Sequence, residues 1–290
     1  MLCSKCSSLA VIDGPVLCKG HFMKYVEDNI KHTLAAYGLA KKGEKIAVAV
    51  SGGKDSLVLL SLLKKLHGNV EAIAIDEGIS GYREKTLIKA KNFCRKNHIM
   101  LRIYKFKDLF GFSLDSRVTE KDKPCSICGT LRRYALNKYA HSFDKVATGH
   151  NMDDEAQAIL MNILRFNWSA IPQGGPSPGI VRDEAFVPRI KPLYFLAEKE
   201  VALYAVLTGL DVSFAECPNA KLSYRAYVRD MLNEYEFKNP GAKKKLIGFY
   251  LSLQPKLNSS SSSLPLKHCL SCNMPCKGDY CGACMLMAVN

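Results

Sequence analysis

Apolar positions recur along this chain at two different periods. Val26, Ile30, Leu34 and Tyr37 fall at helical intervals and predict a helix over about residues 23–37. Lys45-Ile46-Ala47-Val48-Ala49-Val50 then runs apolar without alternation, with a charge before it and a glycine turn after it. That pattern predicts a strand buried on both faces, as in a parallel sheet. Further on, the same reading predicts a helix over 57–66, a strand over 70–75 ending at Asp76, a helix over 82–97, a strand over 99–106, a helix over 126–141, a strand over 145–148 and a helix over 153–164. Alternation at this spacing predicts an α/β fold, a doubly wound parallel sheet with helices on both faces. The Pro- and Gly-rich stretch 165–191, which holds Trp168, is a loop long enough to be either functional or disordered. Helices resume near Ala197 and Ser223, and Val212-Ser213-Phe214 is a candidate strand.

The ends of the chain have a different character. The expected organisation is a small module over residues 1–24, a main domain over 25–257, a Ser-rich linker over 258–266 and a second small module over 267–290. Segments as short as the two modules cannot bury a stable core alone, so a metal is expected to supply the missing stability. No stretch of 18 apolar residues occurs, so no membrane span is expected, and no apolar signal core follows the N-terminus. The cytoplasm is the default location.

Twelve cysteines in such a chain argue for metal rather than disulfides, and their spacing sharpens the argument. Cys3, Cys6, Cys18 and His21 offer three thiolates and one imidazole, a complete tetrahedral set for zinc. Cys269, Cys272, Cys281 and Cys284 form two Cys-x2-Cys knuckles, a second zinc set; Cys276 has no such mate, although it could replace one of the four. Cys94 falls at helical spacing with Leu87 and Ala90 and reads as a small core residue. Cys125, Cys128 and Cys217 remain, one ligand short of a closed site. Three ligands leave an open position, the mark of a reactive centre. A metal-free pair carrying a persulfide and resolving it as a disulfide is the rival reading.

Charge adds a partner. The formal net charge is +14, from 41 Lys and Arg against 27 Asp and Glu, and metal-loaded thiolates would leave about +10. Such a field suits a nucleic acid, although general solubility would explain it too. Arg132 and Arg133 follow the central cysteine pair and could face phosphate or only solvent. Arg225, Arg229 and Lys243-Lys244-Lys245 are candidate RNA-backbone contacts. Trp168 could stack on an extruded base or plug the long loop into the core.

Ser51-Gly52-Gly53-Lys54-Asp55-Ser56 lies between a predicted strand and a predicted helix. Glycines there allow close backbone approach to an anion, the helix start offers free N–H groups, and Lys54 adds a point charge. No Walker loop occurs, which favours attack at the α-phosphorus of ATP with pyrophosphate leaving.

The Ser-Gly-Gly-Lys-Asp-Ser segment resembles the pyrophosphate loop of the N-type ATP pyrophosphatases. Gly149-His150-Asn151-Met152-Asp153-Asp154-Glu155-Ala156-Gln157 resembles a second motif of that family, although Asp153 could be a mere helix N-cap. Cys125-Ser126-Ile127-Cys128 with the distant Cys217-Pro218 looks like its tRNA thiolation branch. Metal modules at both ends make the chain similar to tRNA 2-thiouridine synthetases of the TtuA/NcsA type. The resemblance runs from Cys3 to Cys284. It implies ATP on Ala49, Val50, Ser51, Gly52, Gly53, Lys54, Asp55 and Ser56, with Asp76 near the adenosine, Gly149 and Asp154 closing the site, and Arg132 close by. It implies Mg2+ near Asp55 or Asp154, and a 4Fe-4S cluster on Cys125, Cys128 and Cys217. Those three cysteines with Asp55 and Asp154 become the candidate catalytic set. The implied partners are a tRNA uridine, a sulfur donor (sulfide or a thiocarboxylated ubiquitin-like carrier protein) and a second copy in a homodimer. A cytidine thiolase, a lysidine-forming or amidating relative, and a zinc-rich RNA-binding protein with a non-catalytic nucleotide site are the alternatives.

Overall fold

The computed structural model describes residues 1–119, 122–179, 183–221, 223–260 and 266–288. A hairpin of β1 (Ile12–Asp13) and β2 (Val16–Leu17) leads into α1 (Lys19–Ala36), which buries Phe22, Val26, Ile30 and Thr33. The alternating region follows as β3 (Ile46–Ala49), α2 (Lys54–Leu66), β4 (Val70–Asp76), α3 (Arg83–Lys96) and β5 (Leu101–Lys105). Two short helices, α4 (Phe106–Phe110) and α5 (Leu114–Arg117), precede α6 (Pro124–Tyr139), β6 (Lys145–Thr148) and α7 (Met152–Leu164). Then come β7 (Arg189–Ile190), α8 (Glu198–Leu207), α9 (Tyr224–Lys238) and α10 (Ala242–Ser260). A second hairpin, β8 (Lys267–His268) and β9 (Pro275–Cys276), and α11 (Gly282–Ala288) complete the described chain.

Five strands form one parallel sheet in the order β5-β4-β3-β6-β7. The order reverses between β3 and β6, and ligands of such sheets collect at that point beyond the strand C-termini. The unbroken apolar run of β3 is explained by burial on both faces. Ile46 and Val48 join the core built with α1, α2 and α8, whereas Ala47 joins Ile73, Ile75 and Val146 under α6. A third cluster, with Ala156, Ile159, Val228, Leu232, Ile247 and Tyr250, packs α7, α9 and α10 together. Cys94 is fully enclosed in the first core, where burial pushes its thiol up to about 11. No described helix is long and apolar enough to cross a membrane.

Three departures from the sequence expectations have physical causes. The long stretch 165–191 contains a 3-10 turn at Ile171–Gln173 and ends in the edge strand β7. It is strapped to α10, because the Tyr250 hydroxyl donates to the Ile171 carbonyl at 2.6 Å and Gln254 donates to Gly174 at 2.8 Å. Helix α10 itself was not expected, since Gly248, an internal Pro255 and the serine run all disfavour helix. It nevertheless takes in residues 258–260 of the expected linker, and residues 261–265 lie outside the described ones. Lys243, a candidate RNA contact, is instead buried. Its ammonium bonds Asp153 at 2.5 Å and the Asn233 side chain, fixing α10 to α7.

Removing one partner of such a buried pair strands the other charge. Lys243→Ala should cost about 3–5 kcal/mol of stability in denaturant melts, whereas exposed Lys244→Ala should stay within about 0.5 kcal/mol.

A candidate nucleotide and metal centre on one rim of the sheet

Beyond β3 the chain turns through Val50 to Gly53 and enters α2 at Lys54. Gly52 takes φ +85°, and a Cβ there would fall 1.9 Å from the Thr86 carbonyl oxygen, so only glycine fits. The loop is braced from within. The Ser56 hydroxyl accepts from the Ser51 N–H at 3.1 Å and donates to the Gly53 carbonyl at 3.0 Å, while the Ser51 hydroxyl accepts from the Gly53 N–H at 3.2 Å. No side chain caps α2; the Ser213 carbonyl takes the Lys54 N–H, and the following N–H groups at the positive dipole end are left for the crevice. An anion is the natural occupant.

Lys54 sits half-buried between Asp55, at 3.1 Å, and Glu198, at 2.7 Å. Burial works against its charge, but the two carboxylates outweigh it and raise its pKa. From the other side of the crevice, Gly149 comes so close that a Cβ would sit 3.0 Å from the Asp55–Ser56 backbone. Asn151 caps α7 by accepting from the Asp154 N–H at 3.1 Å, and its amide donates to Asp55 at 3.1 Å. Asp55 and Asp154 thus face one crevice. Burial raises both of their pKa values, against Lys54 for the first and Arg225 for the second. Asp153 points elsewhere, to Lys243 and the Glu198 N–H, and has a structural task. Asp76 ends β4 on the same edge of the sheet and accepts from the Gly78 N–H at 3.0 Å.

The cysteine triad gathers beside this loop. Cys125 lies in the first turn of α6 and is exposed, Cys128 lies one turn on and is buried, and Cys217 is half-buried before the Pro218–Ala220 turn. The Cys125 thiol donates to the Asn219 carbonyl at 3.4 Å, so the two segments meet. Val212-Ser213-Phe214 is not a sixth strand of the sheet. Ser213 makes an isolated parallel bridge to the pyrophosphate-loop segment, donating to the Gly52 carbonyl and accepting from the Lys54 N–H, both at 3.1 Å. Burial raises the pKa of all three thiols, partly opposed at Cys128 by Arg132 and at Cys217 by the Asn219 N–H.

An ionic chain, buried at Arg83 and Glu77 and exposed at Arg132, links loop and triad. Arg83 donates to the Ser51 and Ile75 carbonyls at 2.6 and 2.9 Å and pairs with Glu77 at 2.8 Å. Glu77 also holds Arg132 at 3.0 Å, and Arg132 donates to the Cys128 sulfur at 3.1 Å. Arg133 points away toward Thr130. Sequence reasoning missed Glu77, Arg83, Glu198 and Ser213, and it quoted Asn151 within the second motif without giving it a role. Glu77 carried a local signal beside Asp76 at the end of β4; the Ser213 contact is made by backbone and leaves none.

Two further groups have the compactness of a single-ion site. The ligand atoms of Cys3, Cys6, Cys18 and His21 all lie within 4.8 Å of one another, as do those of Cys269, Cys272, Cys281 and Cys284. Main-chain N–H groups donate to the Cys3 and Cys269 sulfurs, as befits thiolates, and hold both thiols down at about 6 although desolvation opposes this. Cys276 is not of that group, and its thiol donates to the Gly278 carbonyl. The C-terminal group packs on α6, where a Cβ at Gly282 would sit 3.2 Å from Thr130.

A doubly wound sheet with a glycine-turned anion loop at its switch point defines a nucleotide-using protein. The PP-loop domain family matches residues 23–235. The tRNA-5-methyluridine(54) 2-sulfurtransferase of Pyrococcus horikoshii is 39% identical, over 98% of this chain and 93% of that relative. Cytoplasmic tRNA 2-thiolation protein 1 of Dictyostelium discoideum is 34% identical, over 94% and 78%. Among solved structures, the U34-tRNA thiolase NcsA from Methanococcus maripaludis with its 4Fe-4S cluster is 36% identical over 88% of each chain, with a TM-score of 0.78. The chain belongs to the PP-loop family, among its TtuA/NcsA-type tRNA 2-sulfurtransferases.

Gly52→Ala must displace the Thr86 backbone and should cost more than about 1 kcal/mol, with loss of nucleotide binding. At Gly53, with φ −78°, an added Cβ meets the Ser51 hydroxyl at 3.3 Å, which must give by a few tenths of an ångström, so alanine there should cost less than at Gly52. Melting curves and nucleotide titration of the pair check this.

Proposed function

We propose that the protein is an ATP-dependent tRNA-uridine 2-sulfurtransferase, giving 2-thiouridine, AMP and pyrophosphate. The observation that carries this reading is the Ser213 bridge, which seats the Cys217 arm directly on the pyrophosphate loop. Activation and sulfur delivery then share one crevice.

The uridine carbon 2 oxygen is a poor leaving group. Attack of that oxygen on the α-phosphorus of ATP expels pyrophosphate, whose charge the α2 N–H groups and Lys54 receive. Lys54 must exchange Glu198 and Asp55 for phosphate as ATP enters. Ala49, Val50, Ser51, Gly52, Gly53 and Ser56 form the cradle, Asp76 lies toward the adenosine, and Gly149 closes the opposite wall. Asp55 and Asp154 are the residues for Mg2+. A sulfur nucleophile then adds at carbon 2, and AMP leaves with the original oxygen.

Cys125, Cys128 and Cys217 suit a 4Fe-4S cluster. They are three thiols without a fourth, and they are not among the described groups compact enough for a single ion. Bound there, the cluster supplies an iron with an open position for sulfide. Arg132 supports it with an N–H to the Cys128 sulfur. Two Zn2+ ions on Cys3, Cys6, Cys18, His21 and on Cys269, Cys272, Cys281, Cys284 have a structural part. Sulfide or a thiocarboxylated carrier protein donates the sulfur, the protein works in the cytoplasm, and a homodimer fits this reading.

Lys54→Ala should lower thiolation roughly a hundredfold while leaving the melting curve nearly unchanged. Wild-type thiolation in vitro by that variant would remove the pyrophosphate-loop assignment. Anaerobically prepared protein should contain two zincs and be brown. Air should bleach it, and iron with sulfide should restore colour and thiolation together. Sustained turnover by iron-free, zinc-loaded protein given a persulfide donor would overturn the cluster and promote the persulfide route.

A further inference from the structure

Helix α7 carries Asp154 at its start and ends in an unusual cap. The Asn167 N–H reaches back to the Asn162 carbonyl at 2.9 Å and the Phe166 N–H to Ile163 at 3.0 Å, closing the helix as glycine-ended helices close. Phe166 occupies the glycine position, with φ +55°. A bulky side chain is disfavoured there, and its ring gains no burial in return, being 75% exposed. Trp168, the chain's one tryptophan, is 57% exposed and meets the Phe166 ring edge-to-face at 5.2 Å. Backbone strain that no packing repays points to a function at the strained residue.

The pair is held, not loose. Asn167 bonds the side chains of Asn162 and Ser169, and Gln173 donates to the Ser169 carbonyl at 2.7 Å. One cation stands beside it: Arg165 lies over the Tyr224 ring at 4.0 Å, and no acidic residue occurs from Arg165 to Gly179. Held, exposed rings beside an arginine suit unpaired bases, since every base offers a π-face and a phosphate can meet the guanidinium.

We propose that Phe166 and Trp168 form a stacking platform for unpaired tRNA bases, set at the far end of α7 from the nucleotide crevice. The 13 residues of α7 put about 20 Å between them, so the platform engages nucleotides beyond the one being modified. This rests on the tRNA reading above and adds where the RNA lies.

The sole tryptophan is its own reporter. Full-length, metal-loaded protein is titrated with an unmodified transcript of its tRNA, following tryptophan emission and filter binding in parallel. Emission should be quenched saturably at the concentration where filter binding saturates. Trp168→Ala and Phe166→Gly should each weaken binding roughly tenfold. Phe166→Gly should also melt at or above the wild-type temperature, because glycine relieves the cap; a merely structural phenylalanine would lower it. Saturated tRNA binding and thiolation with unchanged emission, and with both variants within about twofold of wild type, would overturn the platform and leave the enzyme assignment standing. Absence of any tRNA binding would overturn both.

Discussion

The parallel bridge between Ser213 and the pyrophosphate loop is the contact on which the rest of the site depends. Two backbone hydrogen bonds join the arm before Cys217 to Gly52 and Lys54. They take up N–H and C=O groups that a glycine-rich turn would otherwise leave to water. They also set the spacing between the anion loop and the cysteine triad, whose members are 89 residues apart in sequence between Cys128 and Cys217. Because the bridge is made of main chain, its spacing does not depend on any one side chain.

A second constraint is ionic. Glu77, buried between Arg83 and Arg132, ties the Ser51 carbonyl to the Cys128 sulfur through charge-assisted bonds. One carboxylate against two guanidiniums leaves a surplus positive charge. That surplus lies beside the thiols, where deprotonated sulfur would accumulate negative charge. Bridge and ionic chain both hold the loop and both reach the segments that carry the cysteines, so loop and triad are tied together twice.

Much of the fold was legible because its signals are local. Apolar runs on both faces marked β3 and β6, and the Gly-Gly turn between strand and helix marked the anion loop. Clustering along the chain separated the tetrahedral groups from the triad, since each group finds four ligands within one short terminal segment, whereas Cys125 and Cys128 find no further ligand nearby and must wait for the distant Cys217. What stayed hidden depends on distant partners. Helix α10 overrides Gly248 and Pro255 because Ile247 and Tyr250 bury against α7 and α9. Lys243 looks like surface charge until Asp153, 90 residues earlier, is seen beneath it. Two-residue β7 is too short to have a period at all, and Ser213 contributes only its backbone.

Helix α6 is held from two directions in time as well as in space. Its first turn carries Cys125 and Cys128, and its outer flank is covered by Cys269, Cys281, Ala283 and Cys284. Those last residues are synthesised after every other part of the crevice. A nascent chain therefore completes its anion loop and all three central thiols while the flank of their helix is still bare. Closure of the tail against α6 then falls at the end of maturation, and the order of translation becomes an order of assembly in which the helix of Cys125 and Cys128 gains its outer support last.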